Sequence, residues 1–245
     1  MGFVNNLLEK HRHRFEPGGR LAPLFPVFEM LDTFLLTPDT VTTGRTHVRD
    51  SLDLKRMMMT VVYALLPVTI MALYNTGLQA NLALAGLTES ASGGWRLTIL
   101  HALAGTNPDM IWHNVLHGAL YFLPVYIVTL MAGGFWEAIF ALVRKHEINE
   151  GFLVTSLLYA LILPPTIPLW QVAIGISFGV VIGKEVFGGT GMNIANPAIL
   201  SRAFLFFAYP AQISGDRVWV AVDGITRATP LSAAAAGGVD AIQDT

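Results

Sequence analysis

Three long stretches of the sequence are almost free of charged residues, and they limit the folds that the chain can adopt. Residues 57–74 and 151–183 contain no charge, and residues 119–143 contain only Glu137. A transmembrane helix needs roughly 20 consecutive apolar residues. Charged residues make up 13% of the chain, compared with about a quarter of a soluble domain. The sequence therefore predicts an all-α integral membrane protein.

The composition excludes several classes of protein and site. The formal net charge is −2, which argues against a nucleic-acid-binding protein. Because the sequence has no cysteine, a disulfide, an iron–sulfur cluster or a Cys-based zinc site cannot form within this chain. The first apolar run starts only near residue 57, so no cleavable signal peptide is expected.

The distribution of Lys and Arg predicts how the chain is oriented. Eight of the 15 basic residues precede residue 57, and the connection at 144–145 is also basic. The positive-inside rule then places the N-terminus in the cytoplasm. We expect a cytoplasmic extension over 1–56, a transmembrane domain over 57–213 and an outer segment over 214–245. About four spanning helices are expected, near residues 57–75, 115–143, 151–164 and 169–187.

Two parts of the transmembrane domain depart from regular spanning helices. Pro164, Pro165 and Pro168 interrupt residues 151–183, and these 33 residues are few for two full helices. Either both helices there are short and extend past the charge-free limits, or one is re-entrant. The apolar residues 203–211 are too few to cross a membrane as a helix. We expect a short re-entrant or half helix over residues 203–211. Such backbone is tolerated only where protein or a cavity satisfies its polar groups, and broken helices are typical of transporters.

Glu137 is the one charged residue within the second predicted span. An ionisable group in a membrane helix is costly, and it is usually functional where it faces the protein interior. The alternative is a carboxylate near the helix end that reaches water beside Arg144. One turn earlier, Gly133 and Gly134 would allow another helix or a flat ligand to approach the backbone closely.

Three further motifs have simpler interpretations. The glycine-rich segment 188–191 lacks the spacing of a phosphate-binding loop, which favours a tight turn over a nucleotide site. His113 and His117 are four residues apart, but no third ligand is evident, so we predict a pair at a helix entry and no metal. Residues 223–231 (DGITRATPL) predict a polar turn whose hydroxyls are accessible to a modifying enzyme.

Five segments together carry a resemblance to one family of membrane redox proteins. They are 47–56 (HVRDSLDLKR), 133–137 (GGFWE), 143–152 (VRKHEINEGF), 184–191 (KEVFGGTG) and 202–210 (RAFLFFAYP). Over nearly its whole length the chain resembles the NqrB subunit of sodium-translocating NADH:quinone reductases (Nqr). It is also similar to the RnfD subunit of the Rnf complex, but the long extension 1–56 favours the Nqr type. Since that family folds as two related halves, the chain resembles one half of an inverted-repeat bundle and looks truncated after 223–231.

The resemblance implies a covalent flavin. In this family FMN is joined through its phosphate to a threonine in a Ser-x-Ala-Thr motif, and the matching residue here is Thr229. Thr226 and Arg227 stand where the family usually has Ser and Gly, whereas Asp223 and Ala228 keep the pattern. Arg227 is expected to pair with the phosphate. A separate flavin transferase would make the phosphoester.

The resemblance also implies substrates and partners. Electrons would pass through flavins toward ubiquinone, coupled to Na⁺ export across the bacterial inner membrane, with riboflavin as a candidate cofactor of full-length members. Quinone is expected near Gly133, Gly134 and Phe152 and near the N-terminal segment, and Glu137 is expected on the sodium pathway. The chain has no NADH-binding motif, so other subunits of the complex must supply the electrons. We predict no catalytic residue, no metal site and no nucleic-acid partner, and we expect contact with membrane lipid.

Other classes of function fit some of the same residues. A channel or transporter without redox function would also use broken helices and an acid such as Glu137 near the membrane midplane. An inactive fragment and a passive membrane anchor are the remaining alternatives. An anchor predicts that Thr229→Ala and Glu137→Gln leave the turnover of the complex unchanged, and a flavin on the denatured chain would exclude a redox-inactive transporter.

Overall fold

The computed structural model describes residues 10–15, 19, 28, 54–86, 95–144, 151–215 and 218–220. Residues 10–15 are helical. The following elements are α1 (Leu54–Gly86), α2 (Trp95–Leu103), α3 (Ile111–Arg144), α4 (Gly151–Ile162), α5 (Leu169–Val181), α6 (Pro197–Ala208) and α7 (Pro210–Ile213), with a 3-10 turn at Glu185–Phe187. Within these described ranges there is no β-strand, and the predicted all-α class is confirmed.

Three helices of the described chain are long and apolar enough to cross a membrane: Arg56–Ala85, Ile111–Arg144 and Leu169–Phe187. They correspond to the first, second and fourth predicted spans. The third predicted span forms α4, which has 12 residues. Its length of about 18 Å is shorter than a hydrocarbon core of about 30 Å. Helix α4 stops at Ile162 because Pro164 has no N–H and restricts the residue before it.

Helices α1 and α3 pack with their backbones in contact. A Cβ atom added at Gly77 would overlap the carbonyl oxygen of Asn114, and one added at Gly118 would overlap that of Leu73. Small residues at such positions are what allows two membrane helices to approach this closely. On its other sides α3 packs against α4 and α5, so it is the central helix of the described bundle.

A buried network of polar side chains ties α1 to α3 and to the loop before α3. We call Asn81, Asn114 and His117 the amide–histidine network. Oδ1 of Asn81 lies 2.7 Å from Nδ1 of His117, and Nδ2 of Asn81 donates to Oδ1 of Asn114 at 2.8 Å. Nδ2 of Asn114 donates to the carbonyl of Pro108 at 2.7 Å. All three network residues are buried, and buried polar groups are stable only when they are hydrogen-bonded in this way.

Helix α6 begins at Pro197, earlier than the predicted half helix over 203–211. The side chain of Asn196 accepts hydrogen bonds from the backbone N–H groups of Ala198 and Ile199, and Pro197 occupies the first helical position. Both features favour a helix start, because they satisfy or remove the first free N–H groups. With 12 residues, α6 is a short apolar helix, as expected for this segment.

Candidate functional site

Among the residues that the structure describes, four charged side chains meet near the end of α3, beside the residues that follow α5. We call Glu137, Arg144, Lys184 and Glu185 the ion-pair network. Nζ of Lys184 lies 2.5 Å from Oε1 of Glu137 and 3.6 Å from Oε1 of Glu185. Arg144 donates to Oε2 of Glu185 at 3.2 Å and to the Glu185 backbone carbonyl at 2.7 Å. Negative and positive groups therefore alternate along the network.

Three members of the network are buried, and the fourth reaches solvent. The side chains of Glu137, Lys184 and Glu185 are 4%, 6% and 1% exposed, whereas that of Arg144 is 33% exposed. An isolated charge in such a place would be strongly destabilising, and a close partner of opposite sign offsets much of that cost. Glu137 precedes Arg144 by about 10 Å along the axis of α3.

One interpretation of the sequence was that the Glu137 carboxylate reaches water beside Arg144. The structure contradicts this interpretation. Glu137 is buried against Lys184, and Arg144 binds Glu185 instead. The burial of Glu137 agrees with a carboxylate facing the protein interior, while its role in an ion pathway stays a prediction.

Sequence reasoning did not select Lys184 or Glu185 as site residues. A signal was present, because these two charges directly follow a stretch of 33 residues without any. Their partners were not evident, since Lys184 and Glu137 are 47 positions apart. Which charges meet depends on how α3 and α5 are rotated about their axes, and the sequence pattern does not give that rotation.

A glycine-rich turn fixes the backbone of the network after α5. Gly188 and Gly189 have φ values of 121° and 96°, in the left-handed region that favours glycine. Their N–H groups donate to the carbonyls of Glu185 and Lys184 at 3.0 Å and 3.1 Å, respectively. The tight turn predicted for residues 188–191 is therefore confirmed, and it holds the two charged residues in place.

The ring of Phe152 lies over the Gly133–Gly134 pair. A Cβ atom on Gly133 would be 2.5 Å from Cε2 of Phe152, 2.7 Å from its Cζ and 3.0 Å from Cγ1 of Ile176. A Cβ atom on Gly134 would be 3.6 Å from Cε1 of Phe152, an ordinary contact. Phe152 is 4% exposed and belongs to the hydrophobic core. The three residues predicted to bind quinone thus lie together, but the space over Gly133 is filled by the protein's own ring.

The predicted quinone position and the predicted ion position are neighbours on α3. Gly133 and Glu137 are four residues apart, about 6 Å along the axis, and therefore face the same side of the helix. Gly133 meets Phe152 of α4 and Ile176 of α5, whereas Glu137 meets Lys184 beyond the end of α5. One face of α3 therefore carries both groups.

The remaining predicted residues do not form a site in the described part of the chain. Asp223, Arg227 and Thr229, the expected flavin residues, lie outside the described residues. His113 and His117 have different partners: Nδ1 of His113 accepts from the backbone N–H of Asn107 at 3.3 Å, and His117 binds Asn81. Among the residues that the structure describes, no group of three or more potential metal ligands occurs.

Comparison with known sequences identifies the family. The sequence profile of the NQR2, RnfD, RnfE family matches residues 41–244. The chain belongs to this family. It is 58% identical to the NqrB subunit of the Na(+)-translocating NADH-quinone reductase of Pseudomonas aeruginosa, with 98% of this chain and 60% of the relative covered. The corresponding protein of Azotobacter vinelandii is also 58% identical, with the same coverage, and that of Chromohalobacter salexigens is 56% identical, covering 98% of this chain and 58% of the relative.

The predicted resemblance to the NqrB subunit is confirmed by these relatives, and so is the difference in length. This NQR2, RnfD, RnfE family member spans about three fifths of the length of the curated relatives that it matches. The matched region includes α1 to α7, the ion-pair network, the Gly133–Gly134 pair and the segment 223–231.

Proposed function

We propose that this NQR2, RnfD, RnfE family member is the membrane subunit of an oxidoreductase complex that transfers electrons from NADH to quinone and moves Na⁺. The observation that carries the proposal is the 58% identity over 98% of the chain to relatives named as the NqrB subunit of a Na(+)-translocating NADH-quinone reductase. Three helices of sufficient length and apolarity support a location in the membrane. The partners are the other subunits of the complex, which bind NADH and deliver the electrons.

The flavin of this proposal is FMN, held covalently on Thr229. The phosphate is esterified to the threonine hydroxyl by a flavin transferase, and Arg227 pairs with the remaining phosphate oxygens in a charge-assisted contact. Asp223 belongs to the motif that the transferase recognises. The isoalloxazine ring supplies one-electron chemistry, and the protein determines its distance from the next carrier and its potential.

Quinone binds beside the Gly133–Gly134 pair. Since the ring of Phe152 fills the space over Gly133, a quinone headgroup reaches the α3 backbone only when that ring moves, or it stacks on the ring from outside. Ubiquinone is the proposed acceptor. The substrate site is therefore lined by Phe152 and by the less crowded Gly134.

Na⁺ enters by way of Glu137, and the chain lies in the bacterial inner membrane with its N-terminus in the cytoplasm. Eight of the 15 Lys and Arg residues precede residue 57, which supports this orientation. The end of α3 that carries the ion-pair network then faces the cytoplasm, and the segment 223–231 faces outward, where a flavin transferase has access to it.

The flavin attachment is tested by co-expressing the full chain with a flavin transferase and examining a denaturing gel for flavin fluorescence. We expect a fluorescent band of the full chain, because a phosphoester survives denaturation. Thr229→Ala should abolish the band. Thr226→Ala is the matched control: it removes a second hydroxyl from the same motif and should leave the fluorescence unchanged.

A dark wild-type band, with the transferase active on a control substrate, would contradict the proposal and favour a transporter without redox function or an inactive fragment. Fluorescence that survives Thr229→Ala but is lost in Thr226→Ala would move the attachment site to Thr226. Fluorescence lost in neither variant would place the flavin elsewhere on the chain.

A further inference from the structure

We propose that Lys184 is a tethered cation that occupies, on Glu137, the position that Na⁺ takes during transport. The ammonium group must pass to Glu185 before a Na⁺ ion can bind Glu137. The inference rests on the proposed function in that Glu137 lies on the sodium pathway. The inference adds Lys184 as a residue that determines how tightly Glu137 holds Na⁺.

The distances within the network allow this exchange. Nζ of Lys184 is 2.5 Å from Oε1 of Glu137 and 3.6 Å from Oε1 of Glu185, so both carboxylates are already within ion-pairing distance. A small displacement of one flexible side chain transfers the ammonium from the first to the second. The backbone need not move, and the hydrogen bonds from Gly188 and Gly189 hold it.

The charges of the ion-pair network explain why Glu185 is available as a second partner for the ammonium group of Lys184. Counted over the described residues, the two acids and two bases of the ion-pair network sum to zero, and a bound Na⁺ adds one positive charge. Glu185 is shared between Lys184 and Arg144 after the exchange, and Arg144 is the partly exposed member, with 33% of its side chain accessible. The excess charge is therefore closest to solvent, where it is screened most effectively.

A competing internal cation suits a transport site better than a bare carboxylate does. A buried carboxylate without a partner would hold a cation strongly and release it slowly. Conduction requires binding that is favourable enough for entry and weak enough for release. With Lys184 present, Na⁺ binding replaces one cation by another, so the net gain is small. Lys184 therefore acts as a positioning residue that lowers the affinity of Glu137 for Na⁺.

A purely structural role for Lys184 makes a different prediction. If the ion pair only ties α3 to the segment after α5, its loss destabilises the protein equally in every monovalent salt. If Lys184 holds the position of a transported cation, Na⁺ itself must be able to replace the missing ammonium. Stabilisation of a Lys184 variant by Na⁺ in particular is therefore expected only if Lys184 holds the position of a transported cation.

The experiment compares thermal unfolding of the purified full chain in lipid nanodiscs, in NaCl and in choline chloride of the same ionic strength. A ligand that binds only the folded state raises the apparent stability by mass action, so the shift reports the affinity. We expect Lys184→Gln to bind Na⁺ at least about tenfold more tightly than the wild type, which corresponds to about 1.4 kcal/mol. Glu137→Gln/Lys184→Gln is the matched control, which lacks both charges and should show no dependence on Na⁺.

The results of this comparison either support or overturn the role of Lys184 as a tethered cation. A Lys184→Gln chain that folds in NaCl but not in choline chloride supports the proposal in its strongest form. Equal Na⁺ responses in the wild type and Lys184→Gln overturn it, and so does a response that persists in the double variant. If Lys184→Gln folds in neither salt while the double variant folds, Na⁺ cannot replace the ammonium, and the proposal is wrong. The assay uses no flavin, quinone or other protein of the complex, so its result is independent of the fluorescence test of Thr229.

Discussion

Replacing Gly133 by alanine tests whether the ring of Phe152 really closes the space over α3. The new Cβ atom would lie 2.5 Å and 2.7 Å from two ring carbons of Phe152 and 3.0 Å from Cγ1 of Ile176. Real Cβ atoms do not occupy such positions, so the buried ring or the neighbouring helix must shift. Overpacking of a filled core typically costs about 1–3 kcal/mol.

The adjacent glycine provides the matched control. At Gly134 the added Cβ atom would be 3.6 Å from the nearest ring carbon, which is an ordinary contact. In both variants alanine favours the helix over glycine by about 1 kcal/mol, so this gain cancels when the two are compared. We therefore expect Gly133→Ala to be less stable than Gly134→Ala by about 1–3 kcal/mol.

The free energy of unfolding is measured by denaturant titration of both variants in mixed micelles. A second substitution identifies the cause: Phe152→Leu removes the ring carbons that meet the new Cβ atom. It should destabilise the wild type but cost much less in the Gly133→Ala background, with a coupling energy of about 0.5–3 kcal/mol. Equal stability of Gly133→Ala and Gly134→Ala, or strict additivity with Phe152→Leu, would refute the close contact between Phe152 and α3.

Two further substitutions test the contact between α1 and α3. Gly118→Ala would drive a Cβ atom into the backbone carbonyl of Leu73, which cannot rotate away as a side chain can. We therefore expect the free energy of unfolding to fall by about 3 kcal/mol, at the upper end of the cost of overpacking. An unfolding midpoint equal to that of Gly134→Ala would contradict this expectation. Asn81→Leu removes the partner of both Asn114 and His117, and each buried polar group left unpaired costs about 1–3 kcal/mol. Hydrogen exchange at the start of α3 should then rise, and unchanged exchange would show that water replaces the amide.

The sequence predicted the helices that are long and apolar, and it failed where the chain breaks. Runs with no charge, or with Glu137 alone, predicted α1, α3 and α5, because the cost of burying charge in a membrane acts on composition alone. Helix α4 ends at Ile162, two residues before the expected limit at 164, because Pro164 restricts the residue before it. The start of α6 was placed too late, because the capping role of Asn196 was not recognised in a turn rich in glycine.

The candidate site was predicted only in part. Glu137 is identifiable because it is the one charge within an apolar run of 25 residues, 119–143. Its partner Lys184, and the ring of Phe152 over Gly133, depend on how separate helices are rotated and offset against each other. Periodicity determines which residues share a face of one helix, and it does not determine which face of the next helix they meet.

The spacing of the two buried networks along α3 has an electrical consequence. His117 and Glu137 are twenty residues apart on this helix, a distance of about 30 Å that equals the thickness of a typical hydrocarbon core. The ion-pair network and the amide–histidine network therefore fit the two boundaries of the apolar layer. In the proposed transport, a cation that arrives at Glu137 from the Arg144 end would have crossed almost none of the transmembrane voltage. Nearly all of the work against the membrane potential, about 2.3 kcal/mol per charge for each 100 mV, would then be done on the way from Glu137 to the opposite boundary.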